Sequence, residues 1–194
     1  MTTPSFTPCW RALLSACVVA AMGCAGAAQA QQRDRQDAFA LYLEGGRTLH
    51  DQTSSSMATV GVRVPTRVKF WGDRLSLSID AYVSDWHQDP LPGARTNFLQ
   101  LGVVPMFRYR FDGGQSPWFV DAGVGASYLT HDYRTREKSF GTRWNFSDHL
   151  GLGRNFGADH RHELGVYLKH VSNGGVSNPN PGETFLLLRY GYAL

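Results

Sequence analysis

The sequence predicts an all-β fold, an eight-stranded antiparallel transmembrane β-barrel, and three observations carry that prediction. Eight segments alternate apolar and polar residues with a period of two, the charged side chains fall on the face opposite an aromatic-rich one, and long polar connections alternate with short turns. A soluble eight-stranded barrel keeps its interior apolar, so charge on one face and greasy side chains on the other is the pattern of a wall bathed in lipid.

Taken in order, the apolar rows begin with Phe39, Leu41 and Leu43, then Val60, Val62 and Val64, then Leu75, Leu77, Ile79, Ala81 and Val83. The fourth is Leu99, Leu101, Val103, Pro105, Phe107, Tyr109 and Phe111, and the fifth Trp118, Val120, Ala122, Val124, Ala126 and Tyr128. Trp144, Phe146, Leu150, Leu152 and Phe156 make the sixth, Leu164, Val166 and Leu168 the seventh, and Leu186, Leu188, Tyr190, Tyr192 and Leu194 the eighth. The opposite faces carry Arg63, Asp80, Gln100, Arg108, Arg110, Asp121, His149, Glu163, Lys169 and Arg189. Of these, Arg63, Asp80, Arg108, Arg110, Asp121 and Arg189 are expected to form lumenal ion pairs and not a channel, because eight strands leave an interior that side chains just fill.

With periplasmic termini, the odd-numbered connections lie outside and run long: Thr48 to Met57, His87 to Thr96, Thr130 to Thr142 and Asn173 to Glu183. Asp112 to Ser116 and Gly157 to Arg161 read as short turns, and Thr66 to Asp73 as intermediate. Trp118, Trp144, Tyr190 and Tyr192, near segment ends, suit interfacial girdles.

Residues 1–30 read as a cleaved secretory signal: Arg11, an apolar run from Ala12 to Met22, then Ala28-Gln29-Ala30. A rival cut before Cys24 resembles a lipoprotein signal without its usual Leu. Cys9, Cys17 and Cys24 all lie in this leader, so the barrel, residues 31–194, is expected to carry neither disulfide nor thiol chemistry. Its basic and acidic side chains nearly balance, which selects no partner, and nothing after the leader approaches the roughly 18 apolar residues of a membrane-crossing helix.

The informative break is in Glu163 to Ser172, where His170 and Ser172 finish the apolar row of Leu164, Val166 and Leu168. On a lipid-facing wall polar groups are expensive and tend to be functional. Centring the preceding hairpin on Asp159 pairs Leu150 with Leu168 and sets Asp148 directly opposite His170, so three polar groups share one patch. Serine, histidine and a carboxylate are what acyl transfer requires, the imidazole taking the serine proton and the acid fixing its tautomer. Asn173-Gly174-Gly175 beside the serine offers an amide and permissive backbone for an oxyanion.

The run His170-Val171-Ser172-Asn173-Gly174-Gly175, followed by Asn178-Pro179-Asn180-Pro181-Gly182-Glu183, resembles the signature of the PagL family of outer-membrane lipid A 3-O-deacylases. Asn145 to Gly153 and Phe119 to Gly125 resemble that family's sixth and fifth strands. The resemblance implies a metal-free, cofactor-free serine esterase of the bacterial outer membrane. Its substrate would be lipopolysaccharide, losing the 3-hydroxyacyl chain esterified at position 3 of lipid A. Carried onto this chain, it makes Ser172 the nucleophile, His170 the base and Glu183 the orienting acid, with Asn173 and the Gly175 N–H as oxyanion donors and Asp148 as an auxiliary acid. In the family pattern one residue separates the Gly from the Glu, whereas here Glu183 directly follows Gly182. Parity with Phe185, Leu187 and Arg189 would also turn Glu183 inward in a regular strand, so either the loop enters the strand irregularly and Glu183 reaches His170 from above, which is the favoured reading, or Asp148 takes the orienting role.

Arg134, Arg136, Lys138 and Arg143 are candidate contacts for lipid A phosphates, or equally a solvated loop face. His131, His149, His160 and His162 lack metal-ligand spacing, and no nucleic-acid motif is present. The resemblance leaves homodimerisation open. A noncatalytic structural or adhesion barrel, or a soluble lipid carrier, are the competing functions.

Overall fold

The computed structural model describes residues 38–49, 55–89, 92–93 and 95–194; the leader expected over residues 1–30 lies outside them. Eight antiparallel strands close in sequence order into a barrel, with the first strand paired to the last. They are β1 (Ala40–Thr48), β2 (Ser56–Phe70), β3 (Leu75–His87), β4 (Asn97–Arg110), β5 (Trp118–Leu129), β6 (Trp144–Phe156), β7 (His162–Ser172) and β8 (Glu183–Ala193). The connections β1–β2, β3–β4, β5–β6 and β7–β8 define a loop end, and the short turns define the opposite, turn end.

Parity holds as the sequence predicts. Leu41, Leu43, Val60, Val83, Leu101, Val103, Phe146, Leu150, Val166 and Leu188 are exposed, while Glu44, Arg63, Asp80, Arg108, Asp121, Glu163, Lys169 and Arg189 are buried inside. An apolar exterior around a charged interior fits a barrel whose solvent is lipid.

The interior is a packed polar core. Glu163 accepts from Arg63 and Arg108 at 2.7 to 3.0 Å, and Arg108 also makes a bidentate pair with Asp121 at 2.8 and 2.7 Å. Nearer the loop end, Glu44 accepts from Lys169 at 2.9 Å and from Arg189, which also reaches Asp80 at 3.0 Å. Three tyrosines fill the space between these pairs, each directly across from a strand glycine: Tyr42 from Gly61, Tyr82 from Gly102 and Tyr167 from Gly151. A Cβ at any of those glycines would stand 2.2 or 2.3 Å from the tyrosine ring, so the missing side chain is what admits the large one.

Charges taken from water are stable only while every partner is present. Glu163→Ala takes the carboxylate from Arg63 in the lumen and leaves Arg108 with Asp121 alone, and is expected to lower the barrel's unfolding free energy by about 3–5 kcal/mol in urea titration of detergent-folded protein. A loss under about 1 kcal/mol would mean that water reaches those guanidinium groups.

Two features depart from the sequence expectation. The connection read at Thr66 to Asp73 is mostly strand, since β2 runs to Phe70 with a register shift between Pro65 and Lys69. Pro65 has no N–H to donate to the ladder, and Thr66 Oγ1 supplies a substitute bond to the Leu77 carbonyl at 2.6 Å. The long Thr130 to Thr142 connection is also not wholly solvated. Its two large aromatic residues, Tyr133 and Phe140, fold back into the barrel mouth, where Tyr133 packs on Trp86, Phe98 and Phe140 at ring separations of 5.0 to 5.5 Å and Trp86 in turn meets Phe185 at 4.7 Å.

Candidate active site on the lipid-facing wall

The ladder between β6 and β7 sets Asp148 opposite His170 and Phe146 opposite Ser172, the register derived from a hairpin centred on Asp159. On the other side His170 pairs with Thr184 of β8. Asp148, His170, Ser172 and Thr184 are all half-buried and share the outer face at the loop end, where the wall is otherwise apolar. Nδ1 of His170 is hydrogen-bonded to Thr184 Oγ1 at 2.9 Å.

Gly182 closes the site from the loop side. A Cβ there would lie 2.6 Å from Cε1 and 3.1 Å from Nε2 of His170, and 3.6 Å from Cβ of Ser172, so a side chain at this position would press on both residues. Its φ of +68° is the left-handed region in which glycine carries no penalty. With Nδ1 committed to Thr184, the Nε2 edge of the ring lies on the Gly182 and Ser172 side. Ser172 Oγ makes no hydrogen bond among the described residues.

Glu183 is not brought to His170. It lies in β8 opposite Val171, buried on the lumenal face, where its carboxylate accepts from Tyr133 Oη at 2.9 Å and pairs with Lys138 Nζ at 3.1 Å. The physical reason is parity: β8 is already regular at its first residue, and Phe185, Leu187 and Arg189 point inward with Glu183. The carboxylate therefore ties the β5–β6 connection to the mouth of the barrel. Asp148 keeps its place across from His170, but no hydrogen bond joins the two.

The β7–β8 connection is internally braced. Asn173 is buried, its N–H donates to Asn180 Oδ1 at 2.8 Å, its side-chain amide donates to the Ser177 carbonyl at 2.8 Å, and its Oδ1 accepts from the Gly175 N–H at 2.9 Å. The Gly175 N–H is thus engaged within the loop, while the Asn173 amide has a second hydrogen beyond the one given to Ser177. The loop is also pinned to the β5–β6 connection, the Gly141 N–H donating to the Pro179 carbonyl at 2.8 Å and Ser177 Oγ to the Gly141 carbonyl at 3.0 Å.

The four basic candidates divide. Lys138 turns down to Glu183, and Arg143 donates to Asp132 at 2.8 Å, a hydrogen bond that holds the Asp132 carboxyl below its ordinary range. Arg134 and Arg136 are exposed at the rim.

Apolar space lies beside Phe146 and Asn173, the cross-strand and chain neighbours of Ser172. A cavity of about 220 Å³ lies among Ala126, Trp144, Phe146, Asn173 and Val176, and it shares Ala126 and Trp144 with a shallow apolar trough of about 650 Å³ that crosses β2 to β5. Ala126 and Phe146 stand on the same cross-strand row as Ser172.

The profile of the family described as lipid A 3-O-deacylase (PagL) matches residues 57–193. The chain belongs to the PagL family. The lipid A deacylase PagL of Bordetella bronchiseptica is 33% identical over 124 residues, 63% of this chain and 64% of that protein. The PagL of Pseudomonas aeruginosa is 33% identical over 82 residues, 42% of this chain and 46% of that protein. The chain therefore matches less than two thirds of the length of either relative. A crystal structure of the outer membrane enzyme PagL has the same fold, with a TM-score of 0.64 and 24% identity over 80% of this chain and 99% of that one. The spacing noted with the resemblance, one residue between Gly and Glu, would fall one position after Glu183 in this chain. Thr184 stands there. The sequence carried a trace of this, the one-residue displacement of Glu183, but which neighbour faces His170 depends on where β8 becomes regular.

Proposed function

We propose that this chain is a lipid A 3-O-deacylase of the bacterial outer membrane, an esterase that removes the 3-hydroxyacyl chain from position 3 of lipid A. The observation that carries the proposal is a serine and a histidine two residues apart on a lipid-facing wall, near an apolar cavity of about 220 Å³, in a chain of the PagL family. A lipid substrate need not leave the membrane to reach such a site. The loop end is then the outer end, level with the glucosamine headgroup, and exposed Arg134 and Arg136 lie near its phosphates.

In the proposed reaction His170 Nε2 accepts the Ser172 proton as Oγ attacks the ester carbonyl. Asn173 Nδ2 and the Gly175 N–H are the donors assigned to the oxyanion. Using the latter requires the loop to release the bond that Gly175 makes to Asn173 Oδ1. Collapse of the tetrahedral intermediate breaks the bond to the sugar oxygen, which takes the proton from His170 and leaves as the free 3-hydroxyl. Water, deprotonated by the same imidazole, then releases the 3-hydroxy fatty acid from Ser172.

Expression in a Gram-negative host with intact lipid A acylation, followed by mass spectrometry of the extracted lipid A, tests this. The expected result is a new species lighter by one ester-linked 3-hydroxyacyl group, with the free hydroxy acid recovered. Unaltered lipid A in cells that hold the folded barrel in their outer membrane would leave a noncatalytic barrel as the function.

A further inference from the structure

We infer that the hydroxyl of Thr184, in place of a carboxylate, is the group that orients His170 in this chain. The inference rests on Ser172 and His170 being nucleophile and base.

Thr184 Oγ1 is 2.9 Å from His170 Nδ1, and the two residues are direct partners in the β7–β8 ladder on the outer face. Their approach is thus set by strand register and not by a mobile loop. Glu183, the neighbouring acid, is on the other side of the wall. Bringing it to His170 by a one-residue slip of β8 would turn Phe185, Leu187 and Arg189 out toward lipid. It would also break the pairs of Arg189 with Glu44 and Asp80. Asp148 faces the imidazole from β6 without a hydrogen bond to it.

A hydroxyl oxygen at Nδ1 accepts the ring N–H, which leaves the Nε2 lone pair for the Ser172 proton. When Nε2 gains that proton, Nδ1–H keeps its acceptor. A neutral acceptor stabilises the imidazolium less than a carboxylate does, so Thr184 supplies orientation and tautomer with a smaller electrostatic contribution. Thr184 is a positioning residue, acting through His170. Glu183, which also accepts the Thr184 N–H at 3.3 Å, braces the start of β8 from inside.

The test compares Thr184→Val, Thr184→Ser, Glu183→Gln and Ser172→Ala, purified as folded barrels in detergent and assayed on lipid A at matched folded fraction. Thr184→Val keeps the shape and removes the hydroxyl. Its kcat is expected to fall about 10- to 100-fold, the scale of one hydrogen bond to a group that becomes charged, with KM within about twofold of the parent. Thr184→Ser is expected to retain most of kcat, and Glu183→Gln to lose less than Thr184→Val. Wild-type kcat in Thr184→Val would overturn the inference. So would a serine variant as impaired as the valine one, or a larger kcat loss in Glu183→Gln. Activity surviving in Ser172→Ala would instead overturn the underlying assignment of the nucleophile, and the inference with it.

Discussion

Ser172→Ala and His170→Ala are each expected to abolish lipid A deacylation, by about a thousandfold or more, while leaving a barrel that folds and inserts normally. Both halves of that expectation follow from position. Ser172 Oγ holds no structural hydrogen bond among the described residues, and His170 has one, to Thr184, on the outer wall, the face opposite the buried charge network. Neither truncation leaves a buried ionised group without its partner. Members of a nucleophile and base pair fail nearly together, so the double variant should be hardly worse than either single one. Heat-modifiable electrophoretic mobility reports folding, and release of 3-hydroxy fatty acid reports turnover. Substantial release by either folded variant would remove these two residues from the chemistry.

Much of this arrangement was legible in the sequence, because a strand has one simple rule. Period-two alternation fixes which residues share a face, and a short turn at Gly157 to Arg161 fixes register, so the Asp148 to His170 pairing follows from counting outward from Asp159. The lumenal charges were legible for the same reason. Glu183 was harder. Its side depends on whether β8 is regular from its first residue, and that is settled by Gly182, whose left-handed φ turns the chain straight from the loop into the strand. Tyr133 and Phe140 were visible as two aromatics in a polar segment, but their return into the barrel mouth is a long-range packing event against Trp86, Phe98 and Phe185. Spacing within the loop carries no record of it. The extension of β2 past Pro65 was hidden because proline ordinarily argues against a strand, and here a threonine hydroxyl supplies a ladder bond at the bulge.

Gly182→Ala is expected to lower turnover on the order of a hundredfold while the barrel stays folded. Two separate costs meet at this residue. The first is backbone strain, since an L side chain at φ +68° costs roughly 1–2 kcal/mol. The second is contact: the new methyl would stand 2.6 Å from His170 Cε1, closer than such atoms approach, so either the loop lifts or the imidazole turns. Either movement changes the distance between Nε2 and Ser172, and a displacement of about 1 Å at a reacting pair costs on the order of 10² in rate. Gly72→Ala separates the two costs, because Gly72 has φ +62° in the turn between β2 and β3 and nothing within 4 Å of where its Cβ would be. That variant should show the strain in urea unfolding and full activity on lipid A. If Gly182→Ala behaves the same way, active but slightly less stable, then Gly182 is a turn residue alone and the loop does not hold His170 and Ser172 together.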